Sequence, residues 1–559
     1  MARYRWVEPV PSTSGTFDLH DSPLLSQILV QRGIRSRADA AAYLSPRLDQ
    51  LGRPADLPDL DLAVTRIRAA LALDEVIAVF GDYDADGLSA TAILSRALRE
   101  AGGRVRTYIP HRVHDGYGLK RDAARRILED GARLLVTVDC GTGDTEALGW
   151  LAAAGVEAIV IDHHQVSVAH PPAVAFVSPR RLDSRYSFDG LCAAGLAYQV
   201  ARALVGDRAA EPLLPLAAVG TVADVVPLCG DNRILVHHGL RRFDSAAGVG
   251  LRALARDADV DPSGLTTWHI GYVLGPRLNA AGRVAAPQPA LDLLLTDDPL
   301  EARRLAAELS RYNVQRQRET ERMLGDAEVQ LRARTSSSSL MVLAGSDWSP
   351  GLAGLVASRL VEQHHRPAVV LARGEDISRG SARSIEGFDI TGALRECGDL
   401  LVEYGGHRAA AGLTVETANL VELETRLGRL LEQTFVDGIP DPALAIDAEL
   451  YPSELTLATT ELVAALEPCG AGNPAPVFFT RGLRAENAHT SRDGKHLMFD
   501  ALASDGSRTR AISFQQGSRL AELQRLRHVD LAYSLKRDRW NGQTRLDLEV
   551  LDFRRSTAL

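Results

Sequence analysis

The sequence predicts an α/β protein of several domains: a parallel-sheet domain first, a long connecting helix, a second and smaller α/β domain, then a strand-rich C-terminal domain. Three observations carry this. Between Val76 and Asp224, short apolar runs alternate with helix-periodic segments. From Glu301 to Arg334 there is no proline, and Leu, Ala, Arg and Glu dominate. A second alternation of strand-like and helix-like runs begins at Leu340. At 559 residues the chain has room for about three or four domains.

The elements follow in order. VIAVF (76–80) reads as a strand, LSATAILSRALREAG (88–102) as a helix ending at glycine, and RVRTYIP as a strand. Helix-like LKRDAARRILEDG leads to strand LLVTVDCG (134–141), helix TEALGWLAAAG and strand EAIVIDHH (157–164). Apolar strands separated by helices indicate a parallel sheet covered on both faces. Two helix-like segments come next, CAAGLAYQVARALVG and PLLPLAAVGTVADVV, and GYVLGPRLNAAGR (271–283) reads as a polar loop region. The run 301–334, as one helix, would span about 50 Å. It breaks at the linker-like TSSSS (335–339). The second unit holds strand LMVLAG, helix GLAGLVASRLVEQHH, strands PAVVLA and SRGSARS, the segment GGHRAAAG (405–412) and a helix to about Phe435. After IPDPALAI come a helix and the turn-rich PCGAGNPAPVF. The tail from Val477 is strand-rich, and Asn541-Gly542 is a type I′ hairpin signal. A small β-barrel of the OB kind fits this pattern.

Composition narrows the class. Hydrophobic residues make up 45% and charged residues 24%, which is ordinary for a globular protein and excludes disordered or collagen-like classes. No run approaches the roughly 20 apolar residues of a membrane span. The first residues lack the apolar core of a signal peptide. Five scattered cysteines (Cys140, Cys192, Cys229, Cys397, Cys469) offer neither a disulfide framework nor a CxxC metal site, so a cytoplasmic setting is expected. Of the 63 basic residues only Lys120, Lys495 and Lys536 are lysine. Genome composition accounts for that bias, and so does bidentate phosphate contact. The net charge of −9 is unevenly spread: the tail from Val477 carries 15 basic and 10 acidic residues. A basic OB surface tracks a phosphate backbone, and a solvated barrel with chance charge is the alternative.

The strongest chemical signal is GDYDADG (81–87), directly after a strand. Asp82, Asp84 and Asp86 alternate within five positions and would repel one another unless cations lay between them. A calcium loop starting at Asp82 would have its sixth-position glycine in Gly87, but its twelfth position is Ile93 rather than Glu. Further ligand types stand at two later strand ends, Asp139 in TVDCG and Asp162, His163 and His164 in VIDHH. Asp224 lies within apolar VGTVADVVPL, where an unpaired acid is costly. Any one of these would pass as a cap or a satisfied polar group. Four clusters, three of them at strand ends of one sheet, point to a centre. Carboxylates and imidazoles without thiolates suit manganese or magnesium better than structural zinc. Such a set can hold two metals sharing one carboxylate, about 3.5–4 Å apart, and drive in-line phosphoryl displacement. No Walker A motif is present.

VFGDYDADG, TVDCG, VIDHH and VADVVPL resemble the four motifs of the DHH phosphoesterase superfamily. GYGL (116–119), GPRLNAAGR, SARS (381–384), GGHRAAAG and GAGNPAPVF make the chain similar, over essentially its whole length, to the RecJ family, exonucleases that digest single-stranded DNA 5′→3′. The resemblance implies domains at 1–300 (DHH catalytic, with an N-terminal extension), 301–339 (connecting helix and linker), 340–437 (DHH-associated, substrate-binding), 438–476 (linker with helix) and 477–559 (OB-like, nucleic-acid-binding). It implies that Asp82 and Asp84 hold one divalent ion, manganese or magnesium, and that Asp86, His163 and Asp224 hold the other, with Asp139 bridging. His164 would face the scissile phosphate or protonate the leaving oxygen, with Asp162 orienting a histidine. His407 would contact the nucleotide and Arg408 its phosphate. Ser381 and Arg383 would receive the terminal 5′-phosphate, and Arg112, Arg277, Asn279 and Arg283 are further phosphate candidates. For a single arginine such as Arg112, a surface ion pair is the alternative. Tyr117, Trp268, Tyr272 and Trp540 are candidate base-stacking platforms or core residues.

The implied activity is metal-dependent hydrolysis of single-stranded DNA to 5′-mononucleotides in repair and recombination. The implied setting is a monomer partnered by a single-strand-binding protein and a helicase. Two alternatives stand beside it: a short-oligonucleotide or cyclic-dinucleotide phosphodiesterase of the same superfamily, and a replication scaffold that has lost its metal ligands.

Overall fold

The structure is a computed structural model that describes residues 3–9, 18–112, 114–166, 169–334, 339–540 and 543–557. Four of the five residues of the linker expected at 335–339, the Asn541-Gly542 turn and the Trp540 side chain lie outside these. The chain divides into two compact units, Leu48–Ile439 and a second made of Met1–Arg47 with Pro440–Leu559.

The larger unit is built on a five-stranded sheet in the order Arg104–Tyr108, Val76–Phe80, Ala132–Val138, Glu157–Ile161, Ala175–Val177, every neighbouring pair parallel. Successive strand residues feed different cores. Ile77, Val79, Val136, Val138, Ile159 and Ile161 pack with Leu88, Ile93, Leu196 and Val200. Ala78, Phe80, Leu135 and Val160 pack with Ile127, Leu148 and Leu151. Both faces are thus covered, which is why these strands read as continuous apolar runs. Register places Phe80 beside Thr137 and Val138 beside Ile161, so the three central strands end level with one another.

GYVLGPRLNAAGR is not a loop. Thr267–His269, Ile270–Leu274 and Gly275–Val284 run on as one helical stretch, the middle segment a wider π turn. Pro276 has no N–H to return to the carbonyl of Tyr272, and the wider turn before it accommodates that loss. The long helix is Pro299–Ala333, 35 residues. Its first half buries Ala302, Leu305 and Leu309 in the core of the parallel sheet. Its second half buries Met323 and Ala327 against Leu343, Leu352 and Val356. That second core belongs to a mixed sheet ordered Leu401–His407, Ala410–Glu416, Ile377–Arg383, Ala368–Ala372, Met341–Gly345. GGHRAAAG is the turn of its antiparallel outer pair.

In the smaller unit, Phe478–Thr490, Leu497–Leu502, Arg508–Ser513, Gln543–Arg555 and Val529–Trp540 each pair with the next, and the last pairs back to the first, so the pairing forms a closed circuit. The expectation that the N-terminal extension accompanies the catalytic domain over 1–300 needs correction. Arg5–Val7 pairs with Ala443–Ala445, and Leu25, Ile28 and Leu29 are buried with Phe478, Tyr533 and Phe553. The amphipathic pattern of the extension specifies a helix face and leaves open which core receives it. The five cysteines form no disulfide among the described residues, and no helix among them is long and apolar enough to cross a membrane.

Candidate metal centre

Each acidic motif sits at the carboxyl end of a parallel strand, where open α/β sheets bind ligands. After Val76–Phe80 the chain turns at once into the helix Ala85–Glu100. Asp84 caps that helix, accepting from the N–H groups of Asp86 at 2.9 Å and Gly87 at 3.0 Å. The turn is so tight that a Cβ on Gly87 would lie 2.6 Å from the Asp82 carbonyl oxygen. Asp139 follows Val138 in the left-handed region at φ 63°, a strained conformation for a non-glycine residue. Asp162, His163 and His164 follow Ile161, and Asp224 ends the helix Leu214–Ala223.

Three groups of donor atoms lie mutually within 4.8 Å: Asp82, Asp84 and Asp139; Asp86, His163 and Asp224; Asp139, His163 and His164. His163 Nε2 is 3.2 Å from Asp139 Oδ1, 3.8 Å from Asp224 Oδ2 and 4.0 Å from Asp86 Oδ2. Asp162 stands behind these groups. Its carboxylate accepts from Thr142 N at 3.2 Å, His164 N at 3.2 Å and His164 Nδ1 at 2.7 Å.

Electrostatics show what this cluster lacks. Burial, then the Asp84 charge, pushes Asp82 well above the usual carboxylate range. Burial and the charges of Asp84, Asp86 and Asp82 do the same to Asp139. Burial and Asp86 raise Asp224 to about 9. Asp86 rises to about 6 by burial and Asp84, although it accepts from Ala193 N at 2.8 Å and Ala194 N at 2.9 Å at the N-terminus of the helix Ala193–Val205. Burial lowers His163 to about 3, so it is a neutral ligand at physiological pH. Burial would also raise Asp162 and lower His164, but their mutual hydrogen bond wins: Asp162 falls to about 2 and His164 rises. The buried Asp82 Oδ1 and His163 Nδ1 have no hydrogen-bond partner in the structure. Crowded carboxylates with unsatisfied oxygens and a neutral imidazole fit hard divalent cations.

Around this centre lies a group of arginines. The Arg112 guanidinium sits 4.8 Å from the centroid of the Tyr83 ring. Burial, then the charges of Arg112 and Arg316, depresses Arg283, and burial with Arg112 depresses Arg383. Arg283 Nη1 donates to the Gly351 carbonyl at 3.0 Å. Ser381 and Arg383 converge at the helix Pro350–His364, where a Cβ on Gly354 would lie 3.4 Å from Ser381 Oγ and 2.9 Å from Arg383 Nη2. The acids nearest these arginines in effect are those of the metal centre: Arg112 lowers Asp82, and Asp84 raises Arg283. A cavity of about 1070 Å³ opens beside it, lined by His111, His114, Arg283, Arg311, Arg318 and Ser349 among others.

Other sequence-selected residues fall differently. Asn279 Oδ1 accepts from Ala85 N at 2.7 Å, bracing the first turn of the helix that bears the aspartates. Arg277 donates to Val273 O at 2.8 Å and Ser310 Oγ at 3.1 Å. His407 is exposed, with its charge felt at His163. Arg408 is exposed, 3.7 Å from Asp389. Tyr117 is no free platform: its hydroxyl donates to the Asp139 carbonyl at 2.9 Å and lies 3.2 Å from His164 Nδ1. Two contributors escaped the sequence reading. Arg180 bears electrostatically on His163 and Asp224, and Cys192, its Sγ 3.5 Å from Thr221 Oγ1, directly precedes the Ala193 and Ala194 N–H groups that hold Asp86. Nothing in SPRRL marks Arg180. The helix start at Cys192-Ala193 was visible, but not what it faces.

A parallel sheet with carboxylates and imidazoles at its strand ends, followed by a mixed α/β domain, defines a DHH-type phosphoesterase. The model of the DHH family, N-terminal domain, matches residues 76–221, the DHHA1 domain 337–433 and the RecJ OB domain 446–552. The chain is 32% identical over 557 residues to the single-stranded-DNA-specific exonuclease RecJ of Bacillus subtilis (strain 168), covering 99% of this chain and 71% of that protein. The crystal structure of RecJ from Thermus thermophilus in complex with Mn²⁺ matches at TM-score 0.84 and 33% identity, over 100% of this chain and 80% of that one. The same protein with Mg²⁺ matches at TM-score 0.78 and 32% identity, over 100% and 79%. The chain belongs to the RecJ family.

Proposed function

We propose that this chain is a metal-dependent exonuclease that hydrolyses single-stranded DNA in the 5′→3′ direction to 5′-mononucleotides, in DNA repair and recombination. The observation that carries the reading is the shared donor cluster: two groups of three ligands, one around Asp139 and one around His163, in which burial and mutual repulsion hold Asp82, Asp139 and Asp224 far above the usual carboxylate range. Asp82, Asp84 and Asp139 would hold one divalent ion, manganese or magnesium, and Asp86, His163 and Asp224 the other. The two ions would polarise the scissile phosphate and lower the pKa of the attacking water.

The remaining chemistry belongs to the chain. Asp162 fixes the ring of His164 through Nδ1, leaving Nε2 to face the scissile phosphate and deliver a proton to the leaving 3′-oxygen. Arg112, Arg283, Ser381 and Arg383 receive the terminal 5′-phosphate, which guanidinium groups bind bidentately. His407 and Arg408 meet the first nucleotide. Asn279 and Arg277 support the site through the bonds they already make. The basic tail tracks the strand. Family membership supports a cytoplasmic monomer working beside a single-strand-binding protein and a helicase.

Long single strands are compared with di- to tetranucleotides, with manganese present. The reading expects the long strands to be digested to mononucleotides. Cleavage confined to the short ones would move the assignment to a small-substrate phosphodiesterase.

A further inference from the structure

Trp268 and Tyr272 are both exposed, at 58% and 73%, yet their rings stack at 5.8 Å between centroids and 27° between planes. A large apolar surface held open to solvent in a fixed stacked geometry is costly unless something covers it. The segment that carries the pair leads directly to the metal centre. A Cβ on Gly271 would lie 3.9 Å from Val222 Cγ1, and one on Gly275 would lie 3.4 Å from Ala223 Cβ, the two residues before Asp224. Val225, just past that ligand, is 70% exposed with φ 60°. The same helical stretch ends at Arg283, in the arginine group. Eleven positions separate Tyr272 from Arg283, about 17 Å along a helix.

We propose that Trp268 and Tyr272 form a stacking platform for unpaired bases of the substrate strand on the 3′ side of the scissile phosphate. The proposal rests on the exonuclease reading. With the 5′-phosphate held among the arginines and the cut made at the metal centre, the part of the strand that reaches the far side of Asp224 is the part not yet digested. Aromatic faces accept every base, as a sequence-independent nuclease requires. Arg277, one turn beyond Tyr272 and bonded to the uncharged Val273 O and Ser310 Oγ, adds a cation for the backbone.

The test compares a 5′-phosphorylated 12-mer with a 5′-phosphorylated dinucleotide, using the full chain and manganese. In Trp268→Leu/Tyr272→Leu the ratio of kcat/KM for the 12-mer to that for the dinucleotide falls about tenfold, through KM. Trp268→Phe/Tyr272→Phe restores it, because rings and not bulk are needed. A 12-mer carrying 5-iodouracil near its fourth nucleotide photocrosslinks to Trp268 or Tyr272. If the wild type digests the 12-mer and the leucine variant keeps the ratio, the platform is overturned alone. If the wild type leaves the 12-mer intact, the exonuclease reading falls and the platform with it.

Discussion

His164 Nδ1 lies 2.7 Å from Asp162 Oδ1, and against the effect of burial that bond leads the interactions by which Asp162 is held down to about 2 and His164 is raised. Asp162 is therefore a positioning residue. Its replacement, Asp162→Asn, removes what raises His164. The alkaline limb of the kcat profile, where His164 loses the proton it delivers, moves to lower pH. A limb that stays in place would assign the proton to another group.

Asp139→Ala separates catalysis from folding. Losing the carboxylate common to two donor groups removes several kcal/mol of transition-state stabilisation, so the rate falls at least about a thousandfold. The metal-free protein is not destabilised, because burial and the charges of Asp84, Asp86 and Asp82 already disfavour an ionised carboxylate at that position. Single-turnover digestion and thermal unfolding in EDTA measure the two effects.

Metal binding near pH 7 releases protons. The metal-free Asp224 titrates at about 9 and must ionise to ligate. Calorimetry in buffers of differing ionisation enthalpy counts them. Stability follows the same sign. A carboxyl whose folded pKa lies above its unfolded value of 3.8 stabilises fully below that value and loses its contribution as pH rises toward 9. The Tm of the metal-free protein therefore falls between about pH 5 and 8, and the gain from manganese grows over the same range.

The sheet and its ligands were legible because the signals are local. Val76–Phe80, Ala132–Val138 and Glu157–Ile161 are buried on both faces and read as unbroken apolar runs, and in a parallel sheet the residues just past such strands converge. What stayed hidden depends on distant partners. Leu25, Ile28 and Leu29 carry no local mark of the Phe478 core that receives them. Three glycines, a proline and an asparagine made 271–283 look like a loop, although packing against Val222 and Ala223 supports a helix there. Asn279 looked like a phosphate contact, and only the fold reveals Ala85 N as its partner.

That last point is testable. Asn279→Ala leaves the Ala85 N–H without its acceptor and loosens the turn bearing Asp82, Asp84 and Asp86. Manganese affinity drops about 10–100-fold, as when other supporting residues of metal sites are lost. A direct phosphate contact would instead raise KM and leave metal binding unchanged.

The central claim, a two-metal 5′→3′ exonuclease on single strands, is tested most directly by digesting one single-stranded oligonucleotide labelled at its 5′ end or at its 3′ end, with manganese and with EDTA. The account predicts that the 5′ label appears at once as a mononucleotide while the 3′ label passes through progressively shorter strands, and that EDTA stops both. Immediate release of the 3′ label as a mononucleotide, or digestion that continues in EDTA, would contradict it.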